Sequence, residues 1–393
     1  MEKVNKVKTA IIGCGMISNI YIKNLKNLFH IIDLVAICDI NPAAAEEKSK
    51  TYGIDLIMTL EEIAASKEIE LVVNLTAAFA HYDVLKQMIL AGKHVYTEKM
   101  MTTDLDKGFE LVKLAEEKGV YFGVAPDTVL GAGIQTAKKA IESGLIGEVT
   151  SVSVNINRNQ SLNAELFRFL RGEGGALPYD VGIYYVAALL CLLGPVKSIK
   201  AFGVKAKKHD AELLYTNEFG TSWQIPGNNI LCGILTFENG AVGSLHFDGN
   251  SVNAIQHAFT VYGTEGILKV GDPDQFGDKV EWIRQEGGSC ILPQTHGYNG
   301  QNTLDPTPFD HYGHRGIGVA EMAWAIRKGR KNRCSKEYGL HCMEVLCGMD
   351  LAADTDTVYE TKSRFVMEPL KSGYYSSLFG GGMRGDAEFS LID

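Results

Sequence analysis

Gly13-Cys14-Gly15-Met16-Ile17-Ser18 stands between an apolar run at 7–13 and a helical pattern that carries through Leu28. Strand, glycine turn and helix in that order can receive a pyrophosphate. Gly13 permits the tight turn, Gly15 lets phosphates approach the backbone, and Met16 and Ile17 lie at the positive end of the helix. Ser18 replaces the third glycine of the usual fingerprint, and a glycine turn with no ligand would look the same. A second strand at 33–38 ends in Asp39, 26 residues after Gly13. That is near the spacing of a carboxylate that accepts hydrogen bonds from an adenosine ribose. Its charge would repel a 2′-phosphate, and no Arg follows in Ile40-Asn41-Pro42, which favours NAD over NADP. The other reading makes Asp39 the cap of a helix starting near Pro42.

These residues need a scaffold. The pattern predicts helix at 43–52, strand at 71–75, helix at 81–91 ended by Gly92, strand at 94–96, helix at 105–118 and strand at 120–124. Strict alternation implies a parallel sheet with right-handed crossovers. Ligands bind such sheets at the carboxyl ends of the strands, where Asn74, Thr76, Glu98 and Lys99 fall. Asp127 follows the last of these strands, at an expected domain junction where pockets form. Farther on, Val152, Val154 and Ile156 alternate with Ser151, Ser153 and Asn155, the period of a half-buried strand. The runs 231–237 and 241–247 flank Glu238-Asn239-Gly240, a hairpin signal, and 258–262 and 267–270 flank another turn. Asp180 and Tyr184 are spaced i and i+4 on a helix predicted from about 180 to 193, so both can face one cleft.

Bulk properties narrow the class. The 393 residues exceed one core, so two domains are expected. A formal charge of -9 argues against nucleic acid or an anionic membrane as partner. There is no apolar run long enough to span a membrane. Residues 1–8 are polar and lack the apolar stretch of a secretory signal. The cysteines form no C-x-x-C pair. Cys14, Cys38, Cys191, Cys232 and Cys347 sit in apolar settings and read as small buried hydrophobes in a reduced cytoplasm. His341, Cys342 and Cys347 read as helical packing, and no metal is expected. The basic run 327–336 reads as the solvated end of a helix. The tail at 372–393 is expected to order only in an oligomer, or not at all.

The segments AIIGCGMIS, VAICDIN and AAFAHYDVLKQMILAGKHVYTEKM resemble the Gfo/Idh/MocA family (glucose-fructose oxidoreductase, inositol dehydrogenase and relatives), and GKHVYTEK is the most specific part. APDTVLGAGIQTAKKAIESGLIGEV, GGALPYDVGIYYVAALLCLLGPV, VYGTEGILKV and RGIGVAEMAWAI extend the resemblance over nearly the whole chain. Parts of 205–230 and 272–312 and the tail after about 365 lie outside it. Met100 stands where the family usually has proline. The resemblance implies an α/β chain: an NAD-binding Rossmann domain at 1–127, then a substrate-binding and oligomerisation domain at 128–393 with a large, mostly antiparallel, open-faced sheet. It further implies a homo-oligomer.

Oxidising an alcohol needs a hydride acceptor and a group that takes the hydroxyl proton. By family likeness, Lys99 would hydrogen-bond the reacting oxygen and relay its proton or hold the site positive. The alternative is a lysine that only pairs with Glu98 or a phosphate. Likeness also places His81 near the cofactor; it could equally be a helix-start residue. Many members have Asp and His where this chain has Asp180 and Tyr184. A tyrosine titrates near pH 10. Tyr184 would therefore act as acid/base only if a cation such as Lys99 lowered its pKa; otherwise it orients the substrate. His296, in Thr295-His296-Gly297, is the first choice for the missing imidazole, followed by His311 and His314, against the plain reading of surface loop. Asp127 would contact sugar hydroxyls, with Asn163, Arg168 and Arg171 as further loop candidates. The activity implied is reversible oxidation of a secondary hydroxyl on a sugar, glycoside or cyclitol, with a glycoside 3-dehydrogenase as the finer form. The rival readings are a reductase of a dicarbonyl or imine-like substrate and a non-catalytic NAD-binding sensor.

Overall fold

The computed structural model describes residues 4–214, 219–252, 256–299 and 315–371. His311, His314 and the tail from Ser372 lie outside them. The chain forms two compact units. The first takes Met1–Ala132, Thr295–Leu340 and Val366–Asp393; the second takes Gly133–Gln294 and His341–Phe365. The first crossing between the units falls after Ala132, where the sequence reading puts it at 127/128, and the chain then comes back to the first unit.

The first unit is built on β1 (Val7–Ile12), β2 (Ile32–Cys38), β3 (Leu56–Ile57), β4 (Leu71–Asn74), β5 (His94–Thr97) and β6 (Phe122–Val124). They form one sheet in the order β3-β2-β1-β4-β5-β6, with every pair parallel. The connections carry α1 (Ser18–Asn27), α2 (Pro42–Tyr52), α3 (Leu60–Ala65), α4 (His81–Leu90) and α5 (Leu105–Lys118). The order reverses between β1 and β4, the switch point at which such sheets bind ligands. β3 and α3 were not expected from the sequence. Thr59 and Glu62 form a reciprocal capping box at the start of α3, a spacing that a search for Thr-x-x-Glu would have found.

The returning segment explains the discontinuous first unit. The helix Ile317–Lys328 packs on β6. Just after it, Val124 N–H donates to the Cys334 carbonyl at 3.0 Å. The basic run here is not a solvated helix end. Arg327 makes a two-pronged pair with Glu70 at 2.7 and 2.8 Å. Arg330 and Arg333 converge on Glu321, which is buried. An acid with so little solvent needs such partners.

In the second unit, α6 (Ala132–Glu142) leads into β7 (Val149–Asn157), α7 (Gln160–Leu166) and α8 (Ile183–Leu193). Then come β8 (Val196–Lys205), a two-stranded ribbon of β9 (His209–Asp210) and β10 (Ser222–Trp223), β11 (Asn228–Phe237), β12 (Val242–Asp248), β13 (Gln256–Gly263), β14 (Gly266–Val270), β15 (Val280–Arg284), β16 (Ser289–Ile291) and β17 (Tyr359–Glu360). Nine of these strands form one sheet in the order β16-β15-β14-β13-β7-β12-β11-β8-β17. Only β7 and β12 pair in parallel. Val152, Val154, Ile156, Leu235, Phe247 and Phe259 are buried on one face, as their period-two spacing requires. The other face carries exposed Phe202, Val204, Ile234, Val242 and Tyr262. Among the described residues, no helix is long and apolar enough to cross a membrane.

His341 is fully buried in this unit. Its Nε2 accepts the Val196 N–H at 3.0 Å and its Nδ1 meets Ser363 Oγ at 2.8 Å. Ser363 donates in turn to Glu344. These contacts give His341 a packing role that ties 359–365 to the sheet.

Candidate active site

Gly13 has φ of +103°, and a Cβ there would lie 2.6 Å from the Leu75 carbonyl carbon. Only glycine fits this turn between β1 and α1. At Gly15, by contrast, a Cβ would meet nothing within 4 Å. The backbone there is open to an approaching group. α1 begins after Ile17 without a capping side chain, so its first N–H groups suit an anion. Met16 is largely exposed, and Ser18 donates to the Gly15 carbonyl at 2.6 Å, tightening the turn.

Asp39 sits at the tip of β2. Its Oδ2 accepts the Cys14 N–H at 2.6 Å and its Oδ1 the Asn41 N–H at 2.7 Å. The cap of α2 is Asn41, which accepts from Ala43 N–H at 3.1 Å. The capping alternative for Asp39 therefore falls. Both carboxylate oxygens are fixed beside the glycine turn and retain lone pairs for ribose hydroxyls. These features fit a dinucleotide.

Beyond the switch point, Asn74 is buried and donates to Thr97 Oγ1 at 3.1 Å, while its Oδ1 accepts from the Thr76 hydroxyl at 2.8 Å. Glu98 continues β5. Its Oε1 accepts from the Tyr21 hydroxyl at 2.7 Å and its Oε2 from the Lys99 N–H at 3.0 Å. Lys99 follows, half-buried, and its peptide bond to Met100 is cis. His81 is buried at the start of α4, with Nδ1 2.6 Å from the Met100 carbonyl and Nε2 2.9 Å from the Thr76 carbonyl. Burial lowers its pKa, against the pull of those two carbonyls and of Glu98.

Two expected substrate residues stand elsewhere. Asp127 is fully buried. Its Oδ2 accepts the N–H groups of Gly316 and Gly318, at 2.9 and 3.1 Å, at the start of the helix Ile317–Lys328. It serves as the anion at a helix N-terminus, and burial raises its pKa despite nearby Arg315 and those donors. A carboxylate so enclosed does not reach a sugar. His296 is also buried, with Nδ1 at Thr295 Oγ1 (2.8 Å) and Nε2 at the Leu370 carbonyl (3.1 Å). Both ring nitrogens are engaged, so the structure gives it a packing role and not that of a spare imidazole.

In the second unit, Asp180 lies in a π-helical turn, Pro178–Gly182, that runs into α8. The predicted α-helical spacing of Asp180 and Tyr184 is thus interrupted, and π turns are frequent at functional sites. Tyr184 is buried in the first turn of α8. Asp180 Oδ2 pairs with Arg158 Nη2 at 2.6 Å and accepts from Gln160 Nε2 at 3.1 Å. Arg158 also donates through Nε to Gln160 Oε1 at 2.7 Å. Gln160 is anchored to the Gly175 carbonyl at 2.7 Å. A Cβ at Gly175 would meet the Leu170 carbonyl oxygen at 1.9 Å, so glycine is required there. Arg158 and Gln160 were missed from the sequence; their signal is a polar cluster just past the alternating strand β7. Of the loop candidates, Asn163 donates to the Asn159 carbonyl at 2.8 Å and Arg168 is exposed. Arg171 stacks 3.7 Å above the Trp223 ring.

An open parallel sheet with this glycine turn and acidic β2 tip defines a dinucleotide-binding unit of the Rossmann type. Residues 7–125 match the model for the oxidoreductase family with NAD-binding Rossmann fold, and residues 134–269 match the Gfo/Idh/MocA C-terminal domain. The chain belongs to the Gfo/Idh/MocA family. It is 30% identical over 212 residues to scyllo-inositol 2-dehydrogenase (NADP(+)) of Bacillus subtilis, a match spanning 54% of this chain and 58% of that one. It is 28% identical over 169 residues to inositol 2-dehydrogenase of Rhizobium meliloti, 43% of this chain and 50% of that one. The chain thus spans just over half the length of the first relative and half of the second. Levoglucosan dehydrogenase, solved with NADH and levoglucosan, superposes with a TM-score of 0.75 at 18% identity, covering 91% of this chain and 100% of that one. This likeness shows the fold.

Proposed function

We propose that the protein is an NAD-dependent oxidoreductase that reversibly oxidises a secondary hydroxyl of a sugar, glycoside or cyclitol. The observation that carries the reading is the seating of Lys99 at the tip of β5, on the same sheet edge as the glycine turn and Asp39. NAD supplies the hydride acceptor when bound. Gly13, Gly15, Met16, Ile17 and Asp39 hold its phosphates and ribose, and Asn74, Thr76, His81 and Glu98 shape the neighbouring strand ends. Lys99 accepts a hydrogen bond from the reacting hydroxyl, takes its proton as the hydride leaves, and as the ammonium donates to the carbonyl oxygen so formed. Asp180 and Tyr184 orient the substrate, and Arg158 and Gln160 hold the Asp180 carboxylate in place. The substrate class follows the names of the relatives, which act on inositols and levoglucosan; the finer form is a glycoside 3-dehydrogenase that makes a 3-keto sugar. NAD is favoured over NADP by Asp39, even though the Bacillus relative is named for NADP(+).

The apolar exposed face of the nine-stranded sheet fits a homo-oligomer, and eight free cysteines fit a reduced cytoplasm. The deciding experiment screens sugars, glycosides and cyclitols by NADH absorbance and, for tightly held cofactor, with a dye acceptor. Wild type and Lys99→Ala are run side by side. A loss of about a hundredfold or more in Lys99→Ala is the expected result for a proton-transfer group. NAD binding by both proteins with turnover by neither would overturn the reading and leave the sensor.

A further inference from the structure

The backbone around Lys99 is gripped from two sides. Glu98 Oε2 takes the Lys99 N–H at 3.0 Å, and His81 Nδ1 meets the Met100 carbonyl at 2.6 Å. The second nitrogen of His81 lies 2.9 Å from the Thr76 carbonyl. An imidazole that is 1% exposed therefore bridges the segment after β4 and the segment after β5. A neutral imidazole has one N–H and can donate to one of two carbonyls. The shorter contact assigns that proton to Nδ1 and Met100, and burial favours the neutral form. The charged groups that face His81 are Glu98 and Lys99.

We propose that His81 is a positioning residue for Lys99: by donating from Nδ1 to the Met100 carbonyl it fixes the peptide that carries the Lys99 side chain, opposite the grip of Glu98. The proposal rests on the reading of Lys99 as the group at the reacting oxygen. A side chain at the start of α4 thus sets the reach of an amine at the end of β5.

Side-chain isosteres separate the two contacts. The amide nitrogen of Asn falls close to the place of histidine Nδ1, and that of Gln close to Nε2. His81→Asn keeps the donor to Met100, His81→Gln shifts it to Thr76, and His81→Ala removes both. Each variant is compared with wild type for kcat, KM for NAD, melting temperature, and the rate at which an acetylating reagent labels Lys99 as a function of pH, read by mass spectrometry. The expected result is that Asn stays within about threefold of wild-type kcat while Gln and Ala lose roughly tenfold to a hundredfold, with KM for NAD little changed. The labelling profile of Lys99 shifts in Gln and Ala and not in Asn. Equal losses in Asn and Gln, losses that simply follow melting temperature, or an unchanged labelling profile in all three would overturn the proposal. Labelling needs no substrate. If wild type turns over no polyol but labelling still separates Asn from Gln, the positioning role stands and the dehydrogenase reading alone fails.

Discussion

Arg158 Nη2 lies 2.6 Å from Asp180 Oδ2, joining the end of β7 to the π-helical turn before α8. Both side chains are mostly buried, at 17% and 14% exposure. The pair is thus shielded enough for its geometry to matter, unlike an ion pair in open water. Arg158→Gln should lower kcat by roughly tenfold or more with little change in KM for NAD, and Arg158→Lys should restore part of it. An unchanged kcat in Arg158→Gln would reduce the pair to a structural tie.

The two glycines of the turn should fail differently. Gly13→Ala forces a Cβ into the Leu75 carbonyl at a positive φ and should cost about 2 kcal/mol or more of stability. Gly15→Ala meets no protein atom within 4 Å. It should melt like wild type yet bind NAD at least about tenfold more weakly, because its methyl stands where phosphates approach. Thermal melts and a fluorescence titration with NADH test both.

Cofactor choice should turn on Asp39. Asp39→Asn keeps one oxygen for the Cys14 or Asn41 N–H but removes the charge. The ratio of kcat/KM for NADP over NAD should rise by about tenfold or more. An unchanged ratio would place the discrimination elsewhere.

Acid should loosen the second unit through His341. Burial pushes its pKa down to about 4, whereas an exposed imidazole titrates near 6.5. Between those values the unfolded chain binds a proton that the folded chain refuses. Stability is therefore lost as pH falls through this window, by up to about 3 kcal/mol. Glu344 adds to the loss at lower pH. Burial raises its pKa, but hydrogen bonds from Ser363, Lys362 and Tyr359 outweigh that and hold it below 4.5. Urea midpoints of wild type and His341→Gln across this pH range should converge as the pH falls.

What the sequence disclosed and what it hid follow from the range of the interactions. The glycine turn, the strand alternation and the β11–β12 hairpin are written in neighbouring residues, where periodicity and turn chemistry act. Asp127 was misread because an acid after a strand looks alike whether it faces a ligand or a helix N-terminus 189 residues away. Arg158 was overlooked because its partner is 22 residues on and meets it only once β7 and the π turn are in place. The basic run 327–336 looked solvated because Glu70, which neutralises its first member, belongs to the opposite end of the chain.

The first unit is completed late in synthesis. All six strands of its sheet have emerged by Val124, yet the helix that covers β6 and supplies the Asp127 donors begins at Ile317. Until then Asp127 has no N–H donors from Gly316 and Gly318, and β6 lacks its cover. A nascent chain therefore carries an unfinished nucleotide-binding unit while the long middle segment of the sheet unit is made. A chain stopped at Gln294 should show no melting transition for the first unit, although every strand and the whole glycine turn are present in it.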